Sequence, residues 1–275
     1  MKYLEKEIEI STKKLKVSYI DEGSKEASAI IFIHGFPFNK SMWKKQLASL
    51  MENNRVIAYD VRGHGNSDAG NDIFSIELFV NDLLSFMDAL KIDQAALCGL
   101  SMGGYIALNA IENYPKRFIA LILCDTNCKA DTLEAKENRM KTIRDIKENG
   151  VEQYANESLK KLFAPESFSK HSEEVEYVRE MIINTPKQSL YNTLKALSER
   201  IETCSKLIDI RLPVLILVGK EDKIIPSEAA LFMHQKMKGS SLQIIESAGH
   251  VSNLENPDQF NEHLKRFIIS TFSKA

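Results

Sequence analysis

Five short apolar runs constrain this sequence more than any other feature. They are "AIIFI" (29–33), "RVIAY" (55–59), "AALCGL" (95–100), "FIALILC" (118–124) and "PVLILVG" (213–219), each nearly continuous rather than alternating. Such runs suit strands covered on both faces, because each side chain then meets a helix whichever way it points. Helix-length segments, including 40–51, 75–90 and 102–113, lie between most of them. Strand and helix alternating in this way predict a mostly parallel sheet between two helical layers. Ahead of the runs, Leu4 to Ile10 and Leu15 to Asp21 alternate with period two, the pattern of half-buried antiparallel strands. At the other end "SLQIIE" reads as a last strand. A loop containing His250 follows it, and Asn256 to Phe272 forms a final helix with Pro257 at its first turn.

The rhythm breaks between Thr126 and Leu212, where no strand is evident. Val151, Tyr154, Ala155, Leu159, Leu162 and Phe163 keep helical spacing, as do Val175, Val178, Met181 and Ile182, and then Leu190, Leu194, Leu197 and Ile201. Ordinary connections run about 4–6 residues, so this segment is an insertion rather than a loop. Asn184 to Pro186 supply a break and restart within it. The expected organisation is a core of residues 1–125 and 213–275 carrying a helical cap at 126–212.

Charge narrows the function classes. With 36 Lys and Arg against 38 Asp and Glu, the net charge of −2 shows no basic bias toward nucleic acid. No apolar run approaches the roughly 20 residues of a membrane span. The start, "MKYLEKEIEI", lacks the apolar centre of a secretory signal, which predicts a cytoplasmic protein. A chain of 275 residues needs no staples, so Cys98, Cys124, Cys128 and Cys204 are expected to be free thiols. No Cys/His cluster has zinc spacing, and neither a metal nor an organic cofactor is expected.

One motif carries chemistry. Gly99-Leu100-Ser101-Met102-Gly103 fits G-x-S-x-G, with a strand before it and a helix after it, as the motif requires. By itself the pattern also fits a structural turn with a capping serine. A serine nucleophile needs a base, and a neutral histidine needs a carboxylate to hold its tautomer. Asp222, in "VGKEDKIIP", and His250, in "ESAGHVSNLENP", follow in the expected order and at the carboxyl ends of late strands. Asp125 is the rival carboxylate, with an Asx turn as its expected role. Glu221 neighbours Asp222 but points elsewhere. His64, in "RGHGNS", reads as structural, and His171, His234 and His263 as surface residues. The oxyanion donors are expected to be the amides of Met102 and of Phe36, the latter in "IHGFP", where Pro37 has no N–H to offer. His34 in the same loop is expected to anchor it. Trp43, Phe36, Met102 and Val251 lie near these loops and are candidates for an apolar acyl pocket.

Together "IHGFPFNKSMW", "DVRGHGNSD", "GLSMGGYIAL", "GKEDKIIP" and "AGHVSNLENP" resemble the α/β-hydrolase superfamily. The likeness extends over most of the chain outside the insertion. It is greatest to the branch of 3-oxoadipate enol-lactonases, small carboxylesterases and cofactor-free haloperoxidases (perhydrolases). The resemblance implies an α/β fold with a mostly parallel eight-stranded sheet, its second strand antiparallel, helices on both faces and a helical cap over the site. It also implies Ser101, Asp222 and His250 as the triad and Phe36 and Met102 as oxyanion donors. Haloalkane dehalogenases and epoxide hydrolases are disfavoured, since they carry Asp where this chain has Ser101. The expected partner is a small ester or lactone, with neither nucleic acid nor membrane, and a homo-oligomer is left open. A perhydrolase, a carbon–carbon bond hydrolase and a non-catalytic ligand receptor remain alternatives on the same residues.

Overall fold

In the computed structural model, which describes residues 3–10 and 14–273, the sheet opens with two antiparallel strands. These are β1 (Lys6–Ile10) and β2 (Leu15–Glu22), with Ile8 opposite Val17. The apolar runs become β3 (Ala29–Ile33), β4 (Arg55–Tyr59), β5 (Ala95–Leu100), β6 (Phe118–Cys124) and β7 (Val214–Gly219), and β8 (Ser241–Ile245) ends the sheet. The eight strands lie in the order β1-β2-β4-β3-β5-β6-β7-β8. β2 is antiparallel to both its neighbours, and every pairing from β4 to β8 is parallel. Every residue of β3, β4, β5 and β7 is buried, which is why those runs show no polar alternation.

Ten helices accompany the strands among the described residues: α1 (Lys44–Leu50), α2 (Ile76–Ala89), α3 (Met102–Asn113), α4 (Leu133–Leu162), α5 (Ser167–Lys170), α6 (Ser172–Ile183), α7 (Lys187–Glu199), α8 (Ser227–Lys236), α9 (Ser252–Glu255) and α10 (Pro257–Phe272). Alternate strand residues feed two cores. Ile31, Ile33, Leu97 and Leu123 pack with Phe79 and Leu83 of α2, Ile106 of α3 and Met233 of α8. Ile30, Phe32, Val56 and Leu215 pack on the opposite face with Leu47 of α1 and Phe260 and Leu264 of α10. Local signals set several helix ends. The Ser75 hydroxyl accepts from the Leu78 amide at 3.0 Å to start α2, and Asn184 to Pro186 separate α6 from α7.

From β6 to β7 every described helix or strand is helical, α4 to α7 plus a short 3₁₀ turn at Cys204–Asp209. α4 bends at Gly150, whose φ of 87° no β-carbon residue adopts readily. One expectation fails here. Cys128 and Cys204 form a disulfide, and only Cys98 and Cys124 are free, both buried. The reason is topological. β6 and β7 are neighbours, so the two ends of the long insertion must meet, and the Thr203 amide donates to the Cys128 carbonyl at 2.8 Å. Chain length argued against a need for staples but carried no information about this proximity. Among the described residues no helix is long and apolar enough to cross a membrane.

Candidate active site

Ser101 occupies the turn between β5 and α3 with φ 52° and ψ −111°. A non-glycine residue held there costs about 1–3 kcal/mol, so the surroundings must enforce it. They do so with four hydrogen bonds, one of them from the Tyr105 amide to the Ser101 carbonyl at 3.3 Å. The Ser101 amide donates to Cys124 O at 2.9 Å, and its carbonyl accepts from Gly104 N at 2.9 Å and from Thr126 Oγ1 at 2.8 Å. A Cβ on Gly99 would lie 2.3 Å from Gly103 O, so strand and helix approach as the motif predicts. Gly103 serves a different contact, since its Cβ would lie 2.2 Å from Ile33 O. It therefore lets the start of α3 press against the end of β3, which brings the loop carrying Phe36 beside Ser101.

Ser101, Met102, Phe36 and His250 line one cavity of about 520 Å³, with Tyr154, Leu162, Leu194 and Leu197 contributed by the insertion. The first amides of a helix have no intrahelical acceptor. Among the described residues neither the Met102 nor the Phe36 amide donates to a protein acceptor. His34 anchors the Phe36 loop: its Nδ1 donates to Gly35 O at 2.8 Å and its Nε2 accepts from Val61 N at 2.9 Å. His64 is fully buried beneath the same loop, where desolvation pushes its pKa down to about 4 and keeps it neutral.

His250 Nδ1 donates to Asp222 Oδ2 at 2.8 Å, and both side chains are almost wholly buried. The other oxygen, Asp222 Oδ1, accepts from the amides of Ile224 and Ile225 at 2.8 and 2.9 Å, so the carboxylate is held from both sides. Burial disfavours the imidazolium, but Asp222, reinforced by Asp125 and Glu255, outweighs it and the His250 pKa is raised. No hydrogen bond joins Ser101 Oγ to the imidazole. The two groups face the same cavity, and catalytic bonds of this kind commonly tighten only when substrate is present.

Three residues depart from the sequence reading. Asp125 forms no Asx turn. At φ 47° it directly follows β6, and its carboxyl accepts from Gly219 N at 2.7 Å and from Ser252 Oγ at 2.5 Å. Burial and the neighbouring Asp222 push its pKa up, and it clips the end of β7 to the start of α9. Trp43 and Val251 are fully buried in the lower core and do not line the cavity. Nearness in sequence to catalytic loops says nothing of which way a side chain points, and the Trp43 ring packs on Phe32 at 5.2 Å and Phe260 at 6.3 Å.

One buried residue behind the site left no mark in the pattern. Glu255, 2 % exposed, accepts from Gly249 N at 2.7 Å through Oε1, and from Ala164 N at 2.8 Å and Ser167 Oγ at 2.6 Å through Oε2. The His250 amide also donates to Leu162 O at 2.7 Å. The loop that presents the imidazole is thus bonded directly to the end of α4.

The comparisons agree with this architecture. A 3-oxoadipate enol-lactonase of Acinetobacter baylyi is 29% identical over 264 residues, covering 96% of this chain and 97% of that one. An esterase of Thermogutta terrifontis, solved with malate bound, superposes with a TM-score of 0.91 at 30% identity over 98% of this chain and 99% of the other. An enol-lactonase of Burkholderia xenovorans superposes with a TM-score of 0.88 at 25% identity over 96% and 99%. Residues 28–257 match the family described as the alpha/beta hydrolase fold, and to that family this chain belongs.

Proposed function

We propose that this protein hydrolyses a small carboxylic ester or lactone through an acyl-enzyme on Ser101. The observation that carries the reading is the Asp222-held imidazole of His250 in the same cavity as a serine forced to φ 52° and two amides without protein acceptors. Ser101 Oγ attacks the carbonyl carbon while His250 Nε2 takes its proton. The carbonyl oxygen, now negative, is held by the amides of Met102 and Phe36. The tetrahedral adduct expels the alcohol, which receives the proton from His250, and water activated by the same imidazole then releases the acid and restores Ser101. Asp222 orients the ring and stabilises its cation. The esterase and the enol-lactonases among the relatives support this chemistry.

The test is labelling with a fluorophosphonate, mapped by mass spectrometry, beside a panel of aryl esters and enol-lactones. Adduct on Ser101 and turnover of the panel are expected; a label on any other residue removes the assignment.

Electrostatics adds a pH expectation. A raised imidazole pKa means that the proton stays on to higher pH, so the free base appears only above the usual histidine range. The acid limb of kcat/KM should therefore bend above about 6.5, the ordinary value. Asp222→Asn removes the main favourable charge and the tautomer lock. It should lower kcat by about 10³–10⁴-fold and move the bend to lower pH. A pH–rate profile whose bend stays put in this variant would contradict the pairing.

A further inference from the structure

Two arginines in the cavity wall are left with more positive charge than the protein neutralises. Arg139 of α4 and Arg200, just beyond α7, share one carboxylate, Asp131. Arg139 Nε donates to Asp131 Oδ2 at 2.5 Å and Arg200 Nη1 donates to Asp131 Oδ1 at 2.5 Å. The side chains of Arg200 and Asp131 are 6% and 5% exposed, and that of Arg139 is 23% exposed. The two guanidinium groups keep Asp131 ionised, against the effect of its burial. The cluster therefore carries two positive charges and one negative in a largely desolvated wall, where an uncompensated charge is costly.

Its unused donors are as telling. Arg200 also gives Nε to Lys129 O at 3.2 Å and Nη1 to Leu197 O at 2.8 Å, while its Nη2 group meets no acceptor among the described residues. Arg139 Nη1 likewise meets none. Both residues line the cavity that holds Ser101. The Arg200 guanidinium lies 4.4 Å from the centre of the Tyr105 ring, and the Tyr105 amide donates to Ser101 O at 3.3 Å. The Arg200 charge thus stacks on an aromatic side chain of the first turn of α3, the helix that begins directly after Ser101. Two lysines also line the cavity, but both are solvent-exposed and neither ammonium joins the buried cluster around Asp131. Lys129 directs its ammonium to within 5.5 Å of the ring centre of Phe232, which is not a cavity residue, and Lys161 is solvent-exposed.

Resting on the hydrolase reading above, we propose that Arg200 and Arg139 form a subsite for a carboxylate on the non-reacting end of the substrate, so that the preferred ester or lactone carries a free acid. A planar carboxylate matches the fork of an arginine, and it would neutralise the charge that the two guanidinium groups hold in excess of Asp131.

The experiment compares monoethyl glutarate, an anion, with diethyl glutarate, its neutral counterpart, by chromatographic measurement of product, in wild type, Arg200→Gln and Arg139→Gln. The quantity read is the ratio of kcat/KM for the two esters within each protein, so a general loss of activity cancels. The ratio should fall by about tenfold or more in Arg200→Gln and by a smaller factor in Arg139→Gln. Glutarate should compete with monoethyl glutarate in wild type and lose that effect in Arg200→Gln. Should Arg200→Gln fail to fold, the more exposed Arg139 carries the test alone. Ratios that do not move overturn the subsite. If wild type cleaves neither ester and Ser101 takes no fluorophosphonate, the hydrolase reading fails instead. Calorimetric binding of glutarate to wild type and to the variants then decides the subsite: weakening in the variants supports it, and absence of binding ends it.

Discussion

Replacing Ser101 with Ala is expected to lower kcat by about four to six orders of magnitude, down to whatever the two amides and substrate binding supply without a nucleophile. Steady-state assay of purified protein checks it, and activity near the wild-type level would remove the hydroxyl from the mechanism. Ser101→Gly sharpens the point. Glycine adopts φ 52° without the penalty that serine bears, so this variant should be equally inactive yet more stable by on the order of 1 kcal/mol. A gain in melting temperature accompanying total loss of turnover would show that the turn is held in its conformation for chemistry rather than for the fold.

Breaking the Cys128–Cys204 bond should have the largest effect on stability. The bond closes a loop with a sequence separation of 76 residues. In the chain-entropy account a loop of that length stabilises by about 4 kcal/mol. The corresponding drop in melting temperature is on the order of 10 °C for a protein of this size. Thermal unfolding with and without a dithiol reductant, and of the double variant Cys128→Ser/Cys204→Ser, measures it. The reduced wild type and the double variant should melt together, well below the oxidised protein. Equal melting of oxidised and reduced wild type would mean that the cross-link constrains nothing.

The two cases differ in how visible they were beforehand. Ser101 is announced by its immediate neighbours, because the tight strand-to-helix turn demands Gly99 and the approach of α3 to β3 demands Gly103, each within two residues of it. The strands were equally legible, since full burial on both faces writes itself into each run without reference to any other. Asp222 and His250 follow from the same logic, each standing just past an apolar run. What escaped depends on partners far along the chain. Asp125 meets Gly219 and Ser252, respectively 94 and 127 residues away, so an acid after a strand looks like a turn former until the sheet is assembled. Asp131 joins Arg139 and Arg200 across 8 and 69 residues, and no local period marks that meeting. Trp43 fails for another reason. Its place in a catalytic-looking stretch was clear, but which core its ring would enter depended on Phe32 and Phe260.

The bonding around Glu255 limits how such an enzyme can be re-engineered. Exchanging residues 126–212 for the corresponding piece of a relative would bring a new ceiling to the cavity, but the transplant must also present an amide where Ala164 does and a hydroxyl where Ser167 does. Without that socket, Glu255 Oε2 would be left without donors, the carbonyl under the His250 amide would be lost, and the His250 imidazole would lose its register with Ser101. Chimeras chosen for substrate range should therefore be screened first for whether the graft seats this one side chain.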